Sequence, residues 1–202
     1  MDNKIVILLG HSSVGKDTIA KLLNRKGYEY VISTTTRPIR EGESERNPYI
    51  FTNNEHFENL IKNNELIEYR KYNASNGETW YYGVENDEID KNKSYVAVLD
   101  PVGLDGFKIY SPNNVISFFL DANDEIRKQR CILRGDFNEV EWEHRKESDN
   151  NMFNENFIKE NIDYIINAEK EEDKILEEIL LKIEEKRQDY FKNTLKDSLE
   201  LS

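Results

Sequence analysis

The chain has 202 residues, with 28 Lys and Arg against 40 Asp and Glu, and a formal net charge of −12. That length suits one well-filled α/β core with small excursions and is too short for two full-sized independent domains. The acidic balance argues against a nucleic-acid polymer or an anionic membrane surface as main partner, since either favours a basic face, whereas an anionic small molecule needs only a local Arg and Lys cluster. Cys131 is the single cysteine and excludes an intramolecular disulfide framework, while His11, His56 and His144 show no zinc spacing. No cleavable apolar leader is visible, and no apolar run approaches the roughly 20 residues of a membrane span. A cytoplasmic location is therefore expected.

The apolar run Ile5 to Leu9 reads as a buried strand, and Gly10-His11-Ser12-Ser13-Val14-Gly15-Lys16-Asp17-Thr18 follows it directly into an amphipathic helix. Strand, Gly-bounded turn, Gly-Lys and helix together make a phosphate cradle, in which backbone N–H groups hold phosphates and Lys16 reaches them as a point charge. Gly10, Ser12, Ser13, Val14, Gly15, Lys16, Asp17 and Thr18 are thus predicted to bind a nucleoside triphosphate. The residue after the lysine is usually Ser or Thr, whose hydroxyl ligates Mg²⁺; here it is Asp17, which either ligates the ion directly or tolerates one in an outer shell.

After Gly27, Tyr28 to Ile32 reads as a second core strand, giving a β-α-β start and a parallel sheet. Residues 33–48 carry two prolines and many polar groups and read as a long functional loop in which Arg37 and Arg40 suit a phosphate. Those arginines could equally be a solvated pair bridging Glu41, Glu43 or Glu45. Tyr49 to Phe51 reads as a short strand, Asn53 as the N-cap of a helix over residues 55–63, and Leu66 to Tyr69 as a returning strand. The polar bend Asn73 to Glu78 then separates it from a hairpin partner over Trp80 to Val84. Tyr95 to Leu99 resumes the core and ends in Asp100, and Val115 to Leu120 is a further buried strand. Asp121 to Asn123 caps a helix that carries Arg127, Arg130 and Arg134. The polar stretch from Gly135 to Asn151, with Arg145, reads as a mobile lid with a short helical return. Asp163 to Asn167 is the last expected strand, Lys174 to Tyr190 an amphipathic helix covering the sheet, and the polar tail past Phe191 is expected to fray.

With those pieces in place, the chain resembles the guanylate kinase family of nucleoside monophosphate kinases up to about Asn167. Ser33-Thr34-Thr35-Thr36-Arg37-Pro38-Ile39-Arg40-Glu41-Gly42-Glu43 is similar to the family's Ser-x-Thr-Thr-Arg-x-x-Arg-x-Gly-Glu, with the proline displaced by one. Asn63-Asn64-Glu65-Leu66-Ile67-Glu68 resembles Asn-Asn-Glu-Phe-Ile-Glu, Tyr81-Tyr82-Gly83 resembles Tyr-Tyr-Gly, and Arg134-Gly135 with Arg145 resembles the lid. The resemblance implies a P-loop nucleoside monophosphate kinase fold of α/β class: a central parallel sheet flanked by helices (core 1–32, 94–134 and 161–202), an acceptor-binding insert (33–93) and a lid (135–160). It further implies that Ser33, Arg37, Arg40, Tyr49 and Tyr82 hold the acceptor monophosphate and that Glu68 accepts from guanine N1 and N2. Asp100 would lie beside the acceptor nucleoside. Lys16, Arg40, Arg134 and Arg145 would surround the phosphoryl group, Arg130 would support them, and Asn167 would lie near the donor base. ATP and Mg²⁺ are the implied cofactors, and small nucleotides the partners.

The residues also leave blander roles open: Glu68 could face water, the tyrosines could fill a hairpin face, Asp100 could serve as a strand-end turn residue, and the lid arginines could be surface charges. His11 and Cys131 are assigned nothing. Four positions depart from the pattern besides Asp17. Val84 stands where the family has a Ser or Thr that meets guanine O6, Val98 replaces an earlier carboxylate, and Pro101-Val102 replaces the usual pair after Asp100. A replacement polar group could come from Ser75, Asn76 or Thr79. The expected reaction is transfer of the ATP γ-phosphate to GMP or dGMP. The rivals are a kinase for another nucleotide or a ribose bisphosphate, and a binding module for phosphopeptides that has lost catalysis.

Overall fold

The computed structural model describes residues 4–47, 49–73, 78–135 and 137–200. Its first strand, β1 (Ile5–Gly10), is buried along its whole length. Successive residues of a strand point to opposite faces, so Val6 and Leu8 enter one apolar cluster while Ile5, Ile7 and Leu9 enter another. A strand buried on both faces belongs at the centre of a parallel sheet. β1 indeed pairs in parallel with β7 (Tyr95–Val98) on one side and β8 (Val115–Asp121) on the other. β9 (Tyr164–Asn167) extends the sheet beyond β8, and β2 (Glu29–Tyr30) pairs outside β7. The order is β2-β7-β1-β8-β9.

Helix α1 (Lys16–Arg25) and the long C-terminal helix α7 (Glu172–Glu200) cover the first face through Ile19, Leu23, Ile175, Ile179 and Ile183. Helix α3 (Pro101–Tyr110) covers the second through Leu104 and Phe107. Between β2 and β7 the chain leaves the core to build a second sheet in the order β4-β3-β6-β5, from β3 (Thr34–Thr35), β4 (Ile50–Phe51), β5 (Leu66–Asn73) and β6 (Thr79–Glu85). Helix α2 (Asn54–Lys62) begins where the Asn53 side chain accepts from the His56 N–H at 2.8 Å, as expected of an N-cap, and its Phe57 stacks on Tyr81. After β8, α4 (Asp124–Arg134) is capped by Asn123 and stopped by Gly135 in the left-handed region, and α5 (Glu139–Met152) and α6 (Glu155–Asn161) follow. None of these helices is long and apolar enough, among the described residues, to cross a membrane.

Several expectations need correction. The strand expected over Tyr28 to Ile32 joins the parallel core sheet but is shorter and lies at its edge: only Glu29 and Tyr30 form the ladder, both are exposed, and β7 stands between them and β1. The loop over residues 33–48 contains β3, whose Thr34 and Thr35 are fully buried; Pro48 lies outside the described residues. Asp121 completes β8, and Asn123 alone caps α4. Pro101 to Tyr110 was assigned no element, yet Pro101 starts a helix at the position where a missing N–H is harmless, and the Asp100 carboxylate accepts from the Gly103 N–H at 2.9 Å. The polar segment after Gly135 holds a 14-residue helix, longer than a short return, anchored by buried Trp142. The backbone of α7 stays helical to Glu200, consistent with the absence of Gly and Pro from Glu172 onward. Of the expected bend at 73–78, residues 74–77, with Ser75 and Asn76, lie outside the described residues.

Candidate active site

Gly10 leaves β1 with φ of +140°, and a Cβ there would stand 2.5 Å from the Leu120 carbonyl oxygen, so only glycine fits the turn. Ser13 and Gly15 also take positive φ, and Gly15 enters α1 without any side-chain cap. The first N–H groups of α1 are therefore left for an anion, which the positive end of the helix favours. Lys16 arches back over this loop and donates to the carbonyls of Gly10 at 2.7 Å and His11 at 2.9 Å. Burial holds its ammonium below the usual lysine range, against a smaller upward pull from Asp149 and Asp17.

A cavity of about 370 Å³ opens above the loop, and Ser13 to Thr18, Arg130, Arg134 and Ala168 are among its walls. Arg130 spans it, donating to the carbonyls of Val14 and Ala168, each at 2.7 Å. Arg127 braces the loop from behind: it is 1% exposed, donates to the Ser12 carbonyl at 3.2 Å and to Asp124, and lies over the Trp142 ring. Asp149 of α5 reaches the same place, accepting from the Ser12 N–H at 2.6 Å with Arg127 at 3.9 Å. Arg145 is not brought to the cavity; half exposed, it pairs with Glu141 one turn back at 2.6 Å. Asn167 lies at the end of β9, where its side-chain Oδ1 accepts from the Glu169 N–H. His11 packs edge-on against Phe119 and Phe153, and burial lowers its pKa.

On the other side of Asp17 a groove of about 690 Å³ runs between the core and the insert, bordered by Asp17, Lys21, Ser33 and Tyr49. Arg37 is 3% exposed, pairs with Glu43 at 2.8 Å and lies near the rings of Tyr49 and Phe51, while Tyr82 meets Tyr49 edge-on. The bridging alternative for Arg37 is thus realised here, through Glu43. Arg40 is exposed, and its backbone N–H donates to the same Glu43 carboxylate.

Glu68, Arg70, Asp100 and Val84 meet across β5, β6 and the start of α3. Glu68 does not face water: its side chain is 8% exposed, and burial pushes its carboxyl up to about 7, against the pull of Arg70 and with some help from Asp100. Arg70 donates to Glu68 at 3.0 Å and to both oxygens of Asp100, the Nε contact being 2.8 Å. Burial pushes the Asp100 carboxyl upward, but Arg70 and the α3 backbone N–H groups outweigh it and leave it below the usual range. Gly106 of α3 sits against this pair; a Cβ there would lie 2.7 Å from the Glu68 Cβ. Val84 is fully buried and pairs directly with Glu68 in the ladder.

A family model described as guanylate kinase matches residues 2–187. The chain belongs to the guanylate kinase family. It is 32% identical over 189 residues to a guanylate kinase of Helicobacter pylori (strain ATCC 700392 / 26695), covering 90% of this chain and 86% of that one. A guanylate kinase of Clostridium tetani is 32% identical over 136 residues, or 65% of this chain, and the match spans 63% of that relative's length. A crystal structure of guanylate kinase from Anaplasma phagocytophilum superposes with a TM-score of 0.55 at 26% identity, covering 93% of this chain and 86% of the other. A gluconokinase structure from Sinorhizobium meliloti 1021, at 13% identity and a TM-score of 0.57, shares the fold alone.

Within this guanylate kinase fold, Lys16, Arg130 and Arg134 converge on one cavity, and Ser33, Tyr49 and Asp17 on the neighbouring groove. Glu68 and Asp100 converge through a residue to which sequence reasoning gave no role, Arg70. Arg127 and Asp149 were also assigned nothing. A basic residue two places from Glu68 on one strand was the only available signal for Arg70, and Asp149 lies 137 residues from its partner Ser12.

Proposed function

We propose that the chain is an ATP-dependent nucleoside monophosphate kinase that transfers the γ-phosphate of ATP to GMP or dGMP, giving GDP or dGDP. The observation that carries this reading is the pair of adjoining hollows with Asp17 on the walls of both: one gathers the phosphate loop, Lys16, Arg130 and Arg134, and the other borders Ser33 and Tyr49. Family membership supplies the acceptor class, as the relatives are named guanylate kinases.

Phosphoryl transfer asks the protein for in-line positioning and positive charge around the equatorial oxygens, and no protein nucleophile is needed. The uncapped start of α1 and the loop N–H groups would cradle the triphosphate, with Lys16 exchanging its carbonyl partners for phosphate oxygens. Arg37, released from Glu43, and the exposed Arg40 would take the acceptor phosphate with Ser33, Tyr49 and Tyr82. Arg134 and Arg145 would approach from the lid side, which requires Arg145 to leave Glu141, and closure of lid and insert would exclude water from ATP. Asp17, exposed in the first turn of α1, suits a Mg²⁺ ion held mainly by phosphate oxygens, for which one carboxylate suffices. When bound, the ion would neutralise charge on the phosphates. A cytoplasmic site of action and the division into core 1–32, 94–134 and 161–202, insert 33–93 and lid 135–160 belong to this proposal.

Val84 favours one competing reading, a kinase for another phosphorylated acceptor. An ADP-release assay with ATP, Mg²⁺ and GMP, dGMP, AMP, CMP and UMP decides. Turnover should be highest with GMP or dGMP; equal use of AMP and GMP would remove the guanine assignment, and no turnover with any acceptor would remove the kinase.

A further inference from the structure

Glu68 pairs with Val84 and Arg70 with Tyr82 across β5 and β6, so these four side chains share one face of the insert sheet. On that face Val84 is fully buried and offers no hydrogen-bonding atom. Among the described residues Arg70 is the one cation touching both Glu68 and Asp100, and its donors can be followed individually. A guanidinium has five N–H groups. Nε donates to Asp100 Oδ2 at 2.8 Å and Nη2 to Asp100 Oδ1; Nη1 donates to Glu68 Oε2 at 3.0 Å and to the Tyr69 carbonyl at 3.1 Å. One Nη2 hydrogen is left without a partner among the described residues. Glu68 Oε1 likewise accepts nothing from them.

The carboxylate of Glu68 and the guanidinium beside it thus supply two acceptor oxygens and, on Nη2, one donor not used within the described residues. The pairing edge of guanine presents donor (N2–H), donor (N1–H), acceptor (O6). Adenine would set its unprotonated N1 against the carboxylate. We propose that Arg70 is the residue that reads the 6-oxygen of the acceptor base, with Asp100 as its anchor and Glu68 as the acceptor beside it. The assignment rests on the reading of the chain as a purine monophosphate kinase whose base meets Glu68. It explains how a site with valine at position 84 distinguishes a 6-oxopurine, because a charge-assisted donor replaces a neutral one. It also gives Asp100 a role compatible with its N-cap geometry: the carboxylate holds α3 and Arg70 together, and Arg70 faces the base.

The test compares kcat/KM for GMP and 6-thio-GMP, which keeps both N–H donors but offers sulfur, a weak acceptor, in place of O6. The wild type should prefer GMP by about tenfold, the usual worth of one buried hydrogen bond. In Arg70→Met the ratio should collapse towards unity while GMP turnover falls, and adding Val84→Ser to that variant should restore part of the ratio. A residue that merely positions Glu68 would lower both substrates together and leave the ratio unchanged, and that result overturns the proposal. If Arg70→Met does not fold, as judged by thermal melting, Arg70→Lys keeps the charge beside Asp100 but lacks the planar fork. It should also lose the ratio, and an unchanged ratio there is equally fatal. Absence of GMP turnover in the wild type would instead refute the kinase reading, and it would be seen before any variant is made.

Discussion

Replacing Glu68 by glutamine removes a charge that the fold holds out of water, and should separate stability from activity. The side chain is 8% exposed, and its carboxyl titrates at about 7 instead of 4.5. Between those pH values the folded chain binds more proton than the unfolded chain, so the stability this group contributes is full below pH 4.5 and is lost as pH rises to about 7. Above that range the deficit is about 3 kcal/mol, at roughly 1.4 kcal/mol per pH unit. Arg70's attraction is already contained in the shift, and an amide oxygen can still accept from it. Glu68→Gln should therefore melt about 6–12 °C above the wild type near pH 8.5, with the gap closing near pH 4.5. The same variant should lose about tenfold or more in kcat/KM for GMP, because a neutral amide offers one acceptor to two base N–H groups. Paired melts at the two pH values and a coupled assay measure both effects. An unchanged melting temperature at the higher pH would refute the claim that burial of Glu68 is costly.

The remaining predictions concern the surroundings of the two half-sites. Wild-type kcat/KM for GMP should fall about tenfold per pH unit below about 7, as Glu68 gains the proton that blocks its acceptor role, and a flat profile down to about pH 5.5 would contradict this. Gly106→Ala should destabilise by about 1–3 kcal/mol in urea despite alanine's better helix propensity, because the new Cβ meets the Ile67 carbonyl oxygen at 2.6 Å. A more stable variant would show that α3 can shift away from Glu68. Asp149→Ala should cost about 1–3 kcal/mol, since it leaves the Ser12 N–H and the buried Arg127 short of a partner. An unchanged urea midpoint would show that α5 is not tied to the phosphate loop.

The donor half was legible because its signals are local. A continuous apolar run, a glycine-bounded turn and an amphipathic helix lie within Ile5–Arg25, and each leaves a pattern that elementary periodicity can read. The insert's α2 was legible for the same reason, through Asn53 and the spacing of Phe57 and Leu60. Helix α3 was not: Gly103 and Gly106 are poor helix formers, and Gly106 is required by close approach to Glu68, which no local pattern announces. Helix α5 was hidden by composition, having Trp142 as its only buried residue. Arg70 escaped notice because its meaning depends on Asp100, 30 residues away on a different element. Core-building patterns repeat along the chain, whereas charge partners are chosen by tertiary folding. For that reason the strands were easier to find than the polar contacts that join Glu68, Arg70 and Asp100.

The central claim, transfer of phosphate from ATP to a guanine nucleotide, is tested most directly by following the label of γ-³²P-ATP in the presence of Mg²⁺ and GMP, with Lys16→Ala alongside. The account predicts labelled GDP as the dominant product and its near disappearance in Lys16→Ala. Label recovered only as inorganic phosphate, or labelled GDP at undiminished rate without Lys16, would contradict it.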